Sequence, residues 1–116
     1  MDRIRFDLNR VTDELSRNTQ DLFGDRLQKI ILFGSYARGD YTEESDLDIM
    51  VLADLEESER WPLEKEVSKI ASDLSLEHDI TICMILRDEK TFTSRLPILP
   101  FYKNVVSEGV EIYGAK

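Results

Sequence analysis

Two aspartates, Asp46 and Asp48, are spaced so that their side chains can act together. They open an apolar run that continues to Leu52 and has the composition of a strand. Side chains alternate between the two faces of a strand, so both carboxylates point the same way and Leu47 lies on the other face. Carboxylates that repel each other need a cation or a proton to neutralise them, and their hard oxygen atoms suit Mg²⁺. The pair therefore predicts a site for a divalent cation.

A glycine and a serine, Gly34 and Ser35, come directly after an earlier apolar run, Ile30–Phe33. Glycine lets the backbone approach a ligand closely, and serine offers a hydroxyl and an N–H. Ten residues separate Ser35 from Asp46, which is room for one irregular or helical turn before a return strand. We therefore expect a phosphate-binding turn at the exit of the first strand, next to the aspartates.

The order of the elements brings a third acidic residue to the same place. We predict strands at residues 27–33 and 46–53, paired antiparallel because they are neighbours, and a third strand at residues 79–85. A helix joins the second and third strands, which is the usual connection between parallel strands. Asp79 would then begin the third strand at the edge where Asp46 begins the second.

These residues carry a family resemblance. Gly34-Ser35, ten further residues and then Asp46-Leu47-Asp48 resembles the G-S-x10-D-x-D signature of the DNA polymerase β-like nucleotidyltransferase superfamily. The segments GSYARGD and SDLDIMVL are most similar to those of its minimal nucleotidyltransferase (MNT) antitoxins, which are paired with HEPN toxins. The resemblance implies an α/β (α+β) nucleotidyltransferase fold, with a small mixed sheet and helices packed on it.

The resemblance also implies a role for each matching residue. Gly34 and Ser35 would hold the nucleotide triphosphate. Asp46 and Asp48 would bind two Mg²⁺ ions, and Asp79 would bind the ion nearer the attacking hydroxyl and help to deprotonate the acceptor. A pair of neighbouring metal ions stabilises both the entering and the leaving oxygen of an in-line displacement.

Arg38 lies a few residues after the serine and is a candidate to neutralise phosphate charge. Equally, it can form an ion pair with a nearby acid, Asp40, Glu43 or Glu44. Tyr36 and Tyr41 either stack on a base or pack the loop, and the sequence does not decide between these. His78 is interpreted as a polar residue at a strand edge, outside the site.

For the activity, the resemblance implies Mg²⁺-dependent transfer of AMP from ATP to a tyrosine of a cognate HEPN RNase toxin, which neutralises the toxin. The alternative is a non-catalytic antitoxin that inhibits its partner by binding alone. A third hypothesis, transfer to a small molecule, is weaker because no acceptor domain is visible. Incubation with labelled ATP separates these readings, since only an enzyme leaves AMP on the acceptor.

The length and composition of the chain limit its possible partners and its location. The 116 residues fit one domain, residues 1–116, and 15 basic against 24 acidic residues give a net charge of −9, which opposes stable binding to nucleic acid. The sequence shows no signal peptide and no apolar run of about 20 residues, so we expect a cytoplasmic protein without a membrane span. Cys83 is the single cysteine, and its apolar neighbours predict a small buried side chain.

The remaining helices and strands are predicted from the spacing of apolar residues and from the positions of glycine and proline. Ile4, Leu8, Val11 and Leu15 share one helical face, and Gly24 is placed to end this first helix after Phe23. A second amphipathic helix has its apolar stripe at residues 63–74, with Pro62 in its first turn. Two prolines divide residues 88–107 into short helices, and residues 110–113 form a terminal strand.

Overall fold

Residues 7–115 are described by a computed structural model. Within them, five α-helices and four strands follow one another, with a short 3-10 helix, Gly24–Arg26, before the first strand. The helices are α1 (Leu8–Phe23), α2 (Ser35–Arg38), α3 (Glu57–His78), α4 (Glu89–Arg95) and α5 (Pro100–Glu108). The strands are β1 (Leu27–Phe33), β2 (Leu47–Ala53), β3 (Ile82–Asp88) and β4 (Val110–Gly114).

The four strands form one mixed sheet in the order β3-β2-β1-β4. β1 pairs antiparallel with β2, so the predicted hairpin is confirmed, and Phe33 lies opposite Asp48 in its register. β2 and β3 are parallel and are joined through α3, again as predicted. The predicted terminal strand is also present, as β4, antiparallel to β1.

Both faces of the sheet are covered, because its central strands alternate between two apolar clusters. One set of side chains, including Ile30, Ile49 and Val51, packs with α1 and α3. The alternate set, including Ile31 and Met50, packs with α4 and α5. Complete burial of a side chain of this size contributes about 1.5–3 kcal/mol to stability, so the sheet is a rigid layer between two layers of helices.

Local capping explains where the first helix begins and ends. The side chain of Asp7 accepts a hydrogen bond from the backbone N–H of Arg10, at 3.3 Å, and caps the start of α1. Gly24, with φ of +57°, ends the helix after Phe23, as predicted. Ile4, the first residue of the predicted apolar stripe, lies outside the described residues.

The predicted start of the third strand is wrong. α3 continues to His78, and Asp79 is its C-cap, in the left-handed conformation with φ of +56°. The Oγ of Ser75 accepts a hydrogen bond from the backbone N–H of Ile82, at 3.0 Å, and holds the chain at the helix exit. Residues 79–81 therefore connect the end of α3 to β3, which begins at Ile82.

α3 also begins earlier than predicted. A capping box between Glu56 and Glu59 fixes its start at Glu57, so Pro62 lies beyond the first turn rather than in it. Among residues 7–115, no helix combines the length and the apolar character that are needed to cross a bilayer.

Candidate active site

Gly34 joins β1 to the short helix α2, at the place where the sheet ends. Its φ of +78° and ψ of −157° belong to a region that is essentially restricted to glycine. A Cβ built on Gly34 would overlap the Oδ2 atom of Asp48, so the glycine backbone lies directly against this carboxylate. The predicted turn and the predicted aspartate pair are therefore brought together.

α2 is a single turn that positions Ser35, Tyr36 and Arg38 beside the strand ends. The backbone N–H groups of Ala37 and Arg38 donate to the Gly34 carbonyl, each at 3.1 Å, and so fix the turn. The side chain of Tyr36 is buried, and its ring stacks on that of Tyr41 with centroids 4.4 Å apart. The two tyrosines thus pack the loop against itself.

β2 begins at Leu47, one residue later than predicted, so Asp46 directly precedes the strand. Asp48 is its second residue and lies on the face of the sheet that α4 and α5 cover. Asp46 is exposed and Asp48 is half-buried. Burial and the charge of Asp46 raise the pKa of Asp48, and Arg38 opposes this in part. A divalent cation would relieve both the repulsion and the desolvation of these carboxylates, so the pair fits a hard metal ion such as Mg²⁺.

Cys83 lies in register with Asp48 on the neighbouring strand. The thiol is exposed, so the prediction of a buried side chain is wrong. Burial of part of the side chain and the charges of Asp48 and Asp46 raise the pKa of the thiol. Alternation along β3, together with its parallel register, is the signal that identifies Cys83 as a residue of this site.

Asp79 does not begin β3, since it is the exposed C-cap of α3. Among residues 7–115, Glu14, Glu77 and His78 form the one group of three acidic, histidine or cysteine side chains whose ligand atoms all lie within 4.8 Å of one another. Asp46, Asp48 and Asp79 are not gathered to that distance. Ligands shared between two ions can lie farther apart than this, so Asp79 as a third metal ligand stays a prediction.

His78 is the last residue of α3 rather than a residue at a strand edge. Its Nε2 atom lies 3.0 Å from the Oε1 atom of Glu14, so it links α3 to α1. This contact packs two helices together on the other face of the sheet from Asp48. Its position agrees with the interpretation that His78 lies outside the site.

Arg38 forms two ion pairs. Its Nε atom lies 3.2 Å from Asp40, and its Nη1 atom lies 3.2 Å from Glu108 at the end of α5. Hydrogen bonds to these two carboxylates raise the pKa of the guanidinium, which stays charged. Such surface contacts contribute little to stability, so Arg38 can exchange them for a phosphate at small cost.

Alkylation of Cys83 provides a test of the electrostatics of this site. In EDTA at pH 8, we expect iodoacetamide to modify Cys83 more slowly than it modifies a free cysteine, because the thiolate is the reactive form and the pKa of this thiol is raised. As the pH is raised, the alkylation rate of Cys83 should begin to increase at a higher pH than the rate of a free cysteine does. Replacing Asp48 with asparagine should lower the thiol pKa and accelerate the reaction, as followed by intact-protein mass spectrometry.

The matched control is Asp54→Asn, which removes the same charge from an exposed position after the far end of β2. This variant should react at the wild-type rate. If it accelerates alkylation as much as Asp48→Asn does, the effect reflects net charge and not the neighbourhood of Cys83.

The chain is similar in sequence to known proteins. A family model described as the nucleotidyltransferase domain matches residues 12–110. Two relatives from Methanocaldococcus jannaschii are named protein adenylyltransferases. MJ0141 is 37% identical over 102 residues, which cover 88% of this chain and 95% of that protein. MJ0604 is 40% identical over 88 residues, which cover 76% of this chain and 80% of that protein.

Solved structures give the same result for the fold. The chain is similar to one from a toxin–antitoxin crystal structure with AMP-PNP, with a TM-score of 0.58, 26% identity, and coverage of 90% of this chain and 74% of that one. It shares the fold of a chain from a complex of the tri-AMPylated Shewanella oneidensis HEPN toxin with its MNT antitoxin, with a TM-score of 0.53, 23% identity, and coverage of 92% and 72%. The predicted nucleotidyltransferase fold is therefore confirmed. Because the family model spans most of the sequence and the relatives are adenylyltransferases by name, this chain belongs to the nucleotidyltransferase domain family and is a nucleotidyltransferase.

Proposed function

We propose that this chain is an antitoxin that acts as an ATP-dependent protein adenylyltransferase. The observation that carries the proposal is the packing of the Gly34 backbone against Asp48, which brings a glycine–serine turn close to this carboxylate. The relatives named protein adenylyltransferases support transfer to a protein. The toxin–antitoxin structure with AMP-PNP supports a nucleotide substrate and a toxin as the partner.

Each residue of the site has a part in this reaction. Gly34 and Ser35 bind the triphosphate, and Arg38 turns from its carboxylate partners to pair with a phosphate oxygen. Asp46 and Asp48 would hold two Mg²⁺ ions, and Asp79 would be a ligand of one of them. When bound, Mg²⁺ would neutralise charge on the phosphates and polarise the α-phosphorus.

The acceptor, in this proposal, is a tyrosine of a HEPN RNase toxin. Its hydroxyl oxygen forms a bond to the α-phosphorus of ATP while the bond from that phosphorus to the bridging oxygen breaks. AMP stays on the tyrosine, pyrophosphate leaves, and the hydroxyl proton passes to Asp79. The added phosphate and nucleoside block the toxin, and the reaction takes place in the cytoplasm, where ATP is available.

The test is to incubate the chain with labelled ATP, Mg²⁺ and a HEPN toxin, taken from the adjacent gene where one is encoded there. We expect the partner to gain the mass of one or more AMP groups on a tyrosine, and its RNase activity to fall as the label accumulates. If the toxin is inhibited in a stable complex without gaining AMP, the chain is instead a binding antitoxin. If label appears only on added small-molecule acceptors, protein transfer is excluded.

A further inference from the structure

A cleft of about 480 Å³ opens at the other end of the sheet from the aspartates. It lies where β2 and β3 end, between the start of α3 and helix α4, and its walls include Arg60, Arg87, Arg95 and Tyr102. Arg87 follows Cys83 by four residues along β3 and lies on the same face of the sheet. At about 3.3 Å per residue, the two Cα atoms are about 13 Å apart, so the cleft is separate from the candidate active site.

Arg87 is half-buried and, in the described part of the chain, has no carboxylate partner. Its Nε donates to the hydroxyl of Tyr102 at 3.2 Å, and its Nη1 donates to the carbonyl of Leu86 at 2.8 Å. Both partners are neutral, and no carboxylate in residues 7–115 lies within 4.0 Å of this guanidinium. A desolvated cation is costly without a counter-charge, and it is unusual in a chain with 24 acidic residues.

The acidic side chains of the cleft do not supply that counter-charge. Asp88 accepts hydrogen bonds from the N–H of Leu55 and from the N–H and hydroxyl of Thr91, at 3.0–3.1 Å. Burial acts to raise the pKa of Asp88, but these hydrogen bonds outweigh it and hold the pKa below its ordinary value. This carboxylate is thus committed to joining the β2–α3 connection to the start of α4.

The other acids of the cleft are similarly placed. The side chain of Glu56 belongs to the capping box of α3, and Glu64 lies 3.8 Å from Arg60. Glu57 is exposed in the first turn of α3, where its charge complements the helix dipole. The negative charge around the cleft therefore serves local structure and leaves Arg87 uncompensated.

Arg95 supplies a second uncompensated guanidinium. It lies in the last turn of α4, is exposed, and has no carboxylate within 4.0 Å in the described part of the chain. Together, Arg87 and Arg95 give the cleft two positive groups with free hydrogen-bond donors. Guanidinium groups match the geometry of phosphate oxygens, and a cleft of this volume holds a ligand of nucleotide size.

We propose that this cleft binds a small anion that carries a phosphate group, with the guanidinium groups of Arg87 and Arg95 as its ligands. The phosphate belongs either to an inorganic anion or to a nucleotide, and the chemistry of recognition is the same. This second site does not depend on the proposed transferase reaction, because its ligands are separate from Gly34, Asp46 and Asp48.

The test is a titration of the ¹⁵N-labelled chain with phosphate, pyrophosphate and AMP in EDTA, followed by backbone NMR. We expect saturable shifts at Thr91–Arg95, independent of any response of the proposed nucleotide site at Ser35–Arg38. Arg87→Gln and Arg95→Gln should each weaken binding by about tenfold or more, since each removes a charge-assisted hydrogen bond. If AMP binds as tightly as phosphate, the ligand of the cleft is a nucleotide. If only phosphate and pyrophosphate bind, the ligand is an inorganic anion.

Arg17→Gln is the matched control, because it removes one positive charge from an exposed position on α1. It should leave the affinity unchanged. Arg95→Gln keeps the test valid if Arg87→Gln fails to fold, since Arg95 makes no ion pair in the described structure. The proposal is overturned if no anion gives saturable shifts at Thr91–Arg95, or if Arg17→Gln weakens binding as much as Arg95→Gln does.

Discussion

Asp48→Asn should reduce the rate of AMP transfer by at least about 1,000-fold, because the amide removes a negative ligand that the transition state needs for its divalent cations. The loss should appear in kcat, measured as the rate of AMP incorporation at saturating ATP and Mg²⁺. Binding to the toxin should persist, since Asp48 is half-buried at the sheet end and offers little contact surface. Native mass spectrometry of the complex checks this.

Stability should change in the opposite direction from activity. The pKa of Asp48 in the folded chain lies above its ordinary value because of burial and of Asp46, so the ionised carboxylate disfavours folding at neutral pH. This penalty disappears as the pH falls through the folded-state pKa. In EDTA at pH 7, Asp48→Asn should therefore melt at or above the wild-type temperature, and Mg²⁺ should stabilise only the wild type. A clear loss of stability in EDTA would show that Asp48 stabilises the fold and contradict the prediction.

The control for both measurements is Asp54→Asn. It makes the same chemical change in an exposed residue after the other end of β2, and should retain wild-type transfer and wild-type response to Mg²⁺. If Asp54→Asn loses transfer as Asp48→Asn does, the effect comes from net charge, and the assignment of Asp48 as a metal ligand fails.

The hairpin could be predicted from sequence because its determinants are local. The second half of β1, Ile30–Phe33, is a run of β-branched and bulky residues that Gly34 follows, and the predicted bounds, residues 27–33, are those of the structure. The spacing from Ser35 to Asp46 and the alternation of side chains along a strand then predict both aspartates on one face. The sequence therefore predicts the structure well where interactions between residues close in the chain determine it.

The third strand could not be predicted to the residue, because a contact decides where it begins. Ile80, Thr81 and Ile82 are β-branched and suit a strand, but the hydrogen bonds of Ser75 hold the chain at the exit of α3 until Ile82. With β3 beginning at Ile82, Cys83 lies in register with Asp48.

The partner of Arg38 was equally invisible from sequence. Glu108 lies 70 residues away and reaches Arg38 only because α5 packs on the same face of the sheet as Asp48. The nearby acid Asp40, which local sequence did suggest, provides the other ion pair. Contacts between distant elements therefore complete a site whose framework is local.

Gly34→Ala should both destabilise the fold and nearly abolish transfer. A non-glycine residue in this backbone region costs about 1–3 kcal/mol, and the added Cβ overlaps the Oδ2 atom of Asp48. Asp48 must then move away from the turn. Since a displacement of about 1 Å in a catalytic group can lower the rate about 100-fold, we expect at least that loss of AMP incorporation in the folded fraction.

Gly24→Ala separates strain from displacement. Gly24 has a similar backbone conformation, with φ of +57° and ψ of −132°, but nothing lies within 4 Å of a Cβ built on it. This variant should lose comparable stability, measured by urea denaturation, and keep wild-type transfer below its unfolding transition. Equal losses of transfer in both variants would mean that backbone strain alone governs the activity. A loss confined to Gly34→Ala would instead show that the close approach of the turn to Asp48 is what positions the carboxylate for chemistry.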